Sequence, residues 1–233
     1  MDYSQHTLGS RNPLKRWLHR QRFAASVRLL GLSSCHSFLD YGCGNGELSA
    51  QIARLYPALR IIAYDPAEEL YLQAVRKLSD FPNVKVIRSL DAVEGTFDRI
   101  ACLETVEHLP TTELERVFTN IHRLLVEGGL CLFTFPIEHG LISLIKNLYR
   151  AVSGRDPYVS FGRAVRSLFG LRVERESARS LSDCRYLFSH IGFDCRTMID
   201  AIGNHFSIHQ VAVLPAGFIC CGLGNGVAVT VGK

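Results

Sequence analysis

The sequence predicts an α/β fold, a mostly parallel sheet with helices on both faces. Three observations carry that prediction. Short apolar runs of strand length alternate with longer stretches of helical period. A glycine-rich turn, Y-G-C-G-N-G at residues 41–46, joins the first such run to the helix after it. The length of 233 residues, 47% hydrophobic and 21% charged, suits one domain with a sizeable core.

The elements follow in order. Residues 13–30 (PLKRWLHRQRFAASVRLL) read as a helix. Pro13 fits its first turn, and Leu14, Trp17, Leu18, Ala25 and Leu29 form an apolar stripe. SFLDYG is a first strand that ends in the glycines, and GELSAQIARLY a helix. RIIAYD is a second strand ending in Asp65, PAEELYLQAVRKL a helix, VKVIRSL a third strand and FDRIACL a fourth. PTTELERVFTNIHRLLVEGG is a long helix, with Thr112 and Glu115 at capping-box spacing. Leu114, Val117, Phe118, Ile121, Leu124 and Leu125 repeat at helical period, and Gly128 and Gly129 are expected to stop it. LCLFTFP is a fifth strand. Residues 138–180 break the rhythm as a basic, helical insertion. SLSDCRYLFSHIGFDCRTMI then reads as helix, glycine turn and strand, and residues 205–231 as two or three strands around PAG and GNG turns.

Composition narrows the setting. The eight cysteines (35, 43, 102, 131, 184, 195, 220 and 221) form no C-x-x-C pair, and several lie in apolar runs. Buried thiols in a reducing compartment fit this better than a disulfide framework or a zinc site. No apolar run reaches the ~18–20 residues that span a bilayer. The start, MDYSQHTLGSRNPLK, lacks the apolar stretch of a signal peptide. The expected location is the cytoplasm. The net charge of +4 is concentrated in residues 1–30 and 141–180, which points to an anionic partner or surface.

Gly42, Gly44 and Gly46 let the backbone turn sharply and let a ligand approach the main chain. In an open parallel sheet, ligands sit at the carboxyl ends of the strands beside the first strand. A dinucleotide loop has the spacing G-x-G-x-x-G and seats a pyrophosphate on a helix N-terminus. This chain has G-x-G-x-G, with Asp40 before it and Glu47 opening the helix. Those acids disfavour a diphosphate and favour a ligand that carries a positive group.

D-Y-G-C-G-N-G resembles motif I of the class I S-adenosylmethionine (SAM) dependent methyltransferases. Asp65 at the end of the second strand, FDRIACLETVEHLP and LLVEGGLCLFTFP are similar to that family's later motifs, in order and in register. The resemblance covers roughly residues 22–136. It implies a Rossmann-like, seven-stranded sheet whose last strand is antiparallel. It also implies a division of the single 1–233 domain into an N-terminal helical cap (1–32), a SAM-binding core (36–137), a basic amphipathic lid insertion (138–180) and a C-terminal helix with strands (181–233). Gly42 and Gly44 would pass under the methionine part of SAM, Asp40 would organise the loop, and Asp65 would hold the ribose. Leu103 would lie against the cofactor, and Ser89, Leu90 or Asp91 would flank the adenine. Within the class, C-L-E-T-V-E-H-L-P and the upstream N-P-L-K look like the ubiquinone-pathway O-methyltransferase type. A basic residue before the first strand contacts the SAM carboxylate there. The motif gives Lys15, and the spacing to Gly42 favours Arg22.

Glu104, Glu107 and His108 follow the fourth strand, beside the expected methyl-transfer site. Two carboxylates and an imidazole are donors suited to a divalent metal ion, with His139 as a further ligand. His108, with Glu107 beside it, also suits a general base that takes a hydroxyl proton. Alternatively, the histidine only orients its neighbours. The insertion carries apolar stripes (Leu141, Leu144, Ile145, Leu148 and Val152; Ala164, Leu168 and Leu171) among arginines. It reads either as a lid packed on the core or as a peripheral contact with anionic membrane.

The reading is a SAM-dependent methyltransferase acting on an oxygen of a small or lipid-like acceptor. No nucleic-acid module is visible, and CLET stands where amino-directed nucleic-acid methyltransferases carry N/D-P-P-Y, so nucleic acid is not the expected partner. The alternatives are an RNA 2′-O-methyltransferase, a non-catalytic SAM-binding protein and a nicotinamide-dependent oxidoreductase.

Overall fold

The computed structural model describes residues 13–91, 93–138, 162, 166, 179–181, 184–187, 192–214 and 226–233. Most of the expected lid, with both its apolar stripes, and His139 lie outside the described residues.

Seven strands form one sheet: β1 (Ser37–Tyr41), β2 (Arg60–Tyr64), β3 (Val84–Ile87), β4 (Phe97–Leu103), β5 (Leu125–Pro136), β8 (Ser207–Leu214) and β9 (Gly226–Gly232). Their order is β3-β2-β1-β4-β5-β9-β8. The first five pair in parallel, and β9 runs antiparallel to both β5 and β8. This is the expected seven-stranded sheet with its last strand reversed. The chain order turns back at β1, so ligands are expected at the carboxyl ends of β1 and β4.

Five helices flank the sheet among the described residues: α1 (Pro13–Leu30), α2 (Glu47–Leu55), α3 (Glu68–Leu78), α4 (Thr111–Leu124) and α5 (Cys195–Gly203). Strand side chains alternate between two cores. Leu39, Tyr41, Ile100, Cys102 and Phe133 pack with Phe118 of α4 and Met198 of α5. Phe38, Ile61, Ala101 and Leu132 pack with Ala25 and Leu30 of α1 and Ile52 of α2. Both faces are therefore buried, and the strands read as near-continuous apolar runs. The described residues of 88–96 hold no helix, and a groove of about 690 Å³ opens along β2 and β3, lined by Arg60, Ile62, Lys85 and Ile87.

Three local expectations are corrected. First, α4 has no capping box: Pro110, in extended conformation, precedes Thr111 and no side chain caps the turn. The same helix ends at Leu124, before the glycines, because Leu125 is fully buried and pairs with Phe97 in the sheet. Sheet pairing overrides helix propensity there. Second, the stretch after the insertion is two short strands, β6 (Arg179–Leu181) and β7 (Cys184–Tyr186), paired antiparallel, and then α5. The expected strand at FDCRTMI is that helix: Asp194 accepts a hydrogen bond from the Arg196 N–H at 2.9 Å, and Cys195, Met198 and Ile202 face the core. Third, on α1, Trp17 is 43% exposed, and Ala25, Ser26 and Leu30 form the buried side.

Cys35, Cys43, Cys102, Cys131 and Cys195 are free thiols, as expected. Among the described residues, no helix is long and apolar enough to cross a membrane.

Candidate functional site

The glycine loop hangs from the end of β2. The Gly42 and Cys43 N–H groups donate to the Tyr64 carbonyl at 2.8 and 2.9 Å. Gly42, Gly44 and Gly46 take φ of +79°, +57° and +78°, which glycine adopts without the strain of a Cβ. The Gly44 N–H donates to the Asp65 carboxylate at 2.8 Å, and the other Asp65 oxygen accepts from the Ala67 N–H at 3.0 Å. Asp65 thus braces the loop from the neighbouring strand. Burial pushes its pKa up to about 6 against these two hydrogen bonds. Asp40 lies beneath the loop and accepts from the Ser49 hydroxyl of α2 at 2.7 Å. Burial pushes it further, to about 7.

A second cluster forms where β4 ends. Leu103 pairs with Thr134 of β5. Glu104 then has φ of +51°, which no other described non-glycine residue shares in sign. Its N–H donates to the Thr134 carbonyl at 2.8 Å, and its carboxylate accepts from the Thr134 hydroxyl at 3.2 Å. Arg22, on the inner side of α1, ion-pairs with that carboxylate. Burial alone would lower the Arg22 pKa, but Glu104 and, more weakly, Glu107 outweigh it and hold it above its ordinary value.

The segment Val106–His108 makes one tight 3₁₀ turn, and Glu107 is fully buried within it. His108 Nδ1 lies 2.9 Å from the Leu187 carbonyl. A carbonyl only accepts, so Nδ1 carries the hydrogen and a neutral ring keeps its lone pair on Nε2. The Leu187 N–H donates back to the His108 carbonyl at 2.7 Å, which ties the chain after β7 to this turn. Nε2 is 4.0 Å from a Glu107 oxygen.

The structure brings Asp40, Gly42, Gly44 and Asp65 together, and Arg22, Glu104, Glu107 and His108 together. One expectation changes. Among the described residues no three histidine, cysteine, aspartate or glutamate side chains converge as a metal site. The expected set of Glu104, Glu107 and His108 does not converge on one point, because the Glu104 carboxylate is turned to Arg22 and Thr134. Leu90 is 5% exposed and packs in the core. Ser89 remains outside, with its hydroxyl on Asp91 at 2.8 Å.

Thr105, Ser49 and Thr134 were not among the expected site residues. Thr105 covers Gly42: a Cβ added there would lie 2.6 Å from its methyl and its hydroxyl. It thereby joins the glycine loop to the Glu104–His108 turn. The sequence carries no signal for that contact beyond the neighbourhood of β1 and β4.

Known proteins agree with this frame. Residues 38–129 match a family model described as a methyltransferase domain. The chain is 32% identical over 132 residues to the malonyl-[acyl-carrier protein] O-methyltransferase of Xylella fastidiosa, covering 53% of this chain and 43% of that protein. It is 30% identical over 132 residues to the ubiquinone biosynthesis O-methyltransferase of Colwellia psychrerythraea, covering 53% of this chain and 52% of that protein. The chain therefore spans only about half the length of these relatives. The crystal structure of the PH0226 protein of Pyrococcus horikoshii superposes with a TM-score of 0.64 at 14% identity, covering 100% of this chain and 96% of that one, a likeness of fold. The matched residues 38–129 run from β1 into β5, so the match to a methyltransferase domain falls on the glycine loop, Asp65 and the Glu104–His108 turn.

Proposed function

We propose that the protein transfers a methyl group from SAM to an oxygen of a small or lipid-like acceptor. The observation that carries this reading is the contact of Thr105 with Gly42, which sets the glycine loop directly against the Glu104–His108 turn. A cofactor cradle and a candidate base thus share one end of the sheet.

The residues present fit SAM. The loop is glycine where a side chain would clash, and the buried Asp40, Asp65 and Glu107 make an acidic surround with Arg22 as its cation. Such a surround favours a ligand with positive groups and one carboxylate. In this reading Gly42 and Gly44 hold the methionine part, Arg22 its carboxylate and Asp65 the ribose. Leu103 and Ser89 flank the cofactor, and Asp40 fixes the loop through Ser49. When bound, SAM supplies an electrophilic methyl group on a sulfonium. His108 Nε2 accepts the acceptor hydroxyl's proton as its oxygen becomes the nucleophile. Glu107, buried beside it, favours the imidazolium that results.

The oxygen acceptor is supported by the two O-methyltransferase relatives. The lipid-like acceptor draws on the basic, apolar insertion of residues 138–180, which on this reading meets anionic membrane; co-sedimentation with anionic liposomes tests that contact. The test of activity is transfer of labelled methyl from SAM to a panel of phenols, prenylated catechols, carboxylic acids, amines and short RNAs. Label on a hydroxyl or carboxyl oxygen supports the proposal. Label on amines alone, or on RNA ends, replaces its acceptor, and no label on any acceptor overturns it.

A further inference from the structure

Arg22 is not idle in the ligand-free protein. Its guanidinium is paired with Glu104, and Glu107 adds a second negative charge nearby. Glu104 is held unusually firmly for a partner of this kind. Its backbone takes a φ of +51°, a region that side chains generally avoid, and Thr134 fastens both its N–H and its carboxylate. Arg22 in turn lies against Gly226 at the start of β9, where a Cβ would stand 3.6 Å from the guanidinium. The pair still meets solvent, with the two side chains 18% and 30% exposed, so an incoming anion has access to it.

We propose that Glu104 is an internal competitor: its carboxylate occupies Arg22 as the carboxylate of the ligand does, and docking of the ligand exchanges one for the other. This rests on the proposed function, which assigns Arg22 to the ligand's carboxylate. A ligand that lacks a carboxylate leaves the Arg22–Glu104 pair intact. Glu104 therefore lowers affinity selectively, for carboxylate-bearing ligands alone. It belongs to the specificity of the site and is not a catalytic residue.

The test is calorimetric titration of the full chain with S-adenosylhomocysteine, which has the carboxylate, and with 5′-methylthioadenosine, which does not. Wild type is compared with Glu104→Gln, which removes the charge at constant shape, and Glu104→Asn, a residue that tolerates positive φ. Both variants are expected to bind S-adenosylhomocysteine about three- to tenfold tighter, the range of a charge-assisted contact, with 5′-methylthioadenosine unchanged. The second ligand also reports that the adenosine site is intact. Unchanged or weaker S-adenosylhomocysteine binding beside normal 5′-methylthioadenosine binding would overturn the inference alone. Failure of the wild type to bind either ligand would remove the proposed function, and this inference with it.

Discussion

Thr105 sits on Gly42 so closely that a Cβ on the glycine would lie 2.6 Å from both its methyl and its hydroxyl. Gly42 also has φ of +79°, which costs an alanine about 1–2 kcal/mol. Gly42→Ala is expected to lower the melting temperature and to weaken S-adenosylhomocysteine binding together. Thr105→Ala in the same chain should recover most of the steric part, since only the Thr105 Cβ, 3.2 Å away, remains, and leave the conformational part. A double-mutant cycle by thermal melting checks this, with an expected coupling of about 0.5–3 kcal/mol.

His108 holds Leu187 through Nδ1 and leaves the lone pair on Nε2. Asparagine places a donor near Nδ1 and nothing at Nε2. His108→Asn is therefore expected to keep cofactor affinity and stability while methyl transfer falls about 10²–10⁴-fold, the usual size of a general-base contribution. His108→Ala should lose stability as well, because the tie to Leu187 goes. Single-turnover transfer rates and melting curves of both variants separate the two roles.

Two buried carboxylates make the ligand-free protein sensitive to pH. Asp40 is held up to about 7 and Asp65 to about 6, from an ordinary 3.8, chiefly by burial. The folded chain retains protons that the unfolded chain releases. The stability these groups contribute is full below about pH 4 and is lost as pH rises through about 6 to 7. Melting temperature should fall across that window, and Asp40→Asn, which keeps an acceptor for Ser49, should flatten the slope. A ligand with positive charge favours both ionised forms, so its protection should grow with pH. Melting curves at matched ionic strength measure both trends.

Asp98 works with the opposite sign at the far end of the sheet. Its carboxylate accepts from the His36 and Ser37 N–H groups and the Ser37 hydroxyl, each at 2.9 Å, which staples β4 to the start of β1. The His36 N–H first, and Ser37 with it, hold its pKa below the ordinary 3.8. This stability is present above that value and is lost as pH falls through the folded one. Asp98→Ala is expected to cost about 1–3 kcal/mol near neutral pH, with S-adenosylhomocysteine affinity unchanged. Chemical denaturation beside a binding titration checks both halves.

Much of this was legible in the chain. Strands β1 to β5 and the helices between them are apolar runs and amphipathic periods bounded by glycine or proline, and local pattern suffices for them. Asp65 and the glycine loop could be read because one turn and one strand end carry them. The pattern failed at residues 181–203, although Asp194 followed by Cys195, Met198, Ile199 and Ile202 has helix-start chemistry and helical spacing. The Arg22–Glu104 pair and the seat of Thr105 on Gly42 join distant segments, and no local rule reports such contacts. Donor type, spacing and resemblance all point to a metal set at Glu104, Glu107 and His108, whereas the positive φ of Glu104 turns its carboxylate to Arg22.

On the proposed function, the Gly42–Asp65 cradle holds SAM. Calorimetric titration with S-adenosylhomocysteine, run beside NADH and repeated with Asp65→Ala, tests it most directly. Binding of S-adenosylhomocysteine alone is expected, weakened by about 1.5–3 kcal/mol in the variant through loss of hydrogen bonds to a charged acceptor. Binding of NADH instead, or an affinity for S-adenosylhomocysteine that Asp65→Ala leaves unchanged, would contradict it.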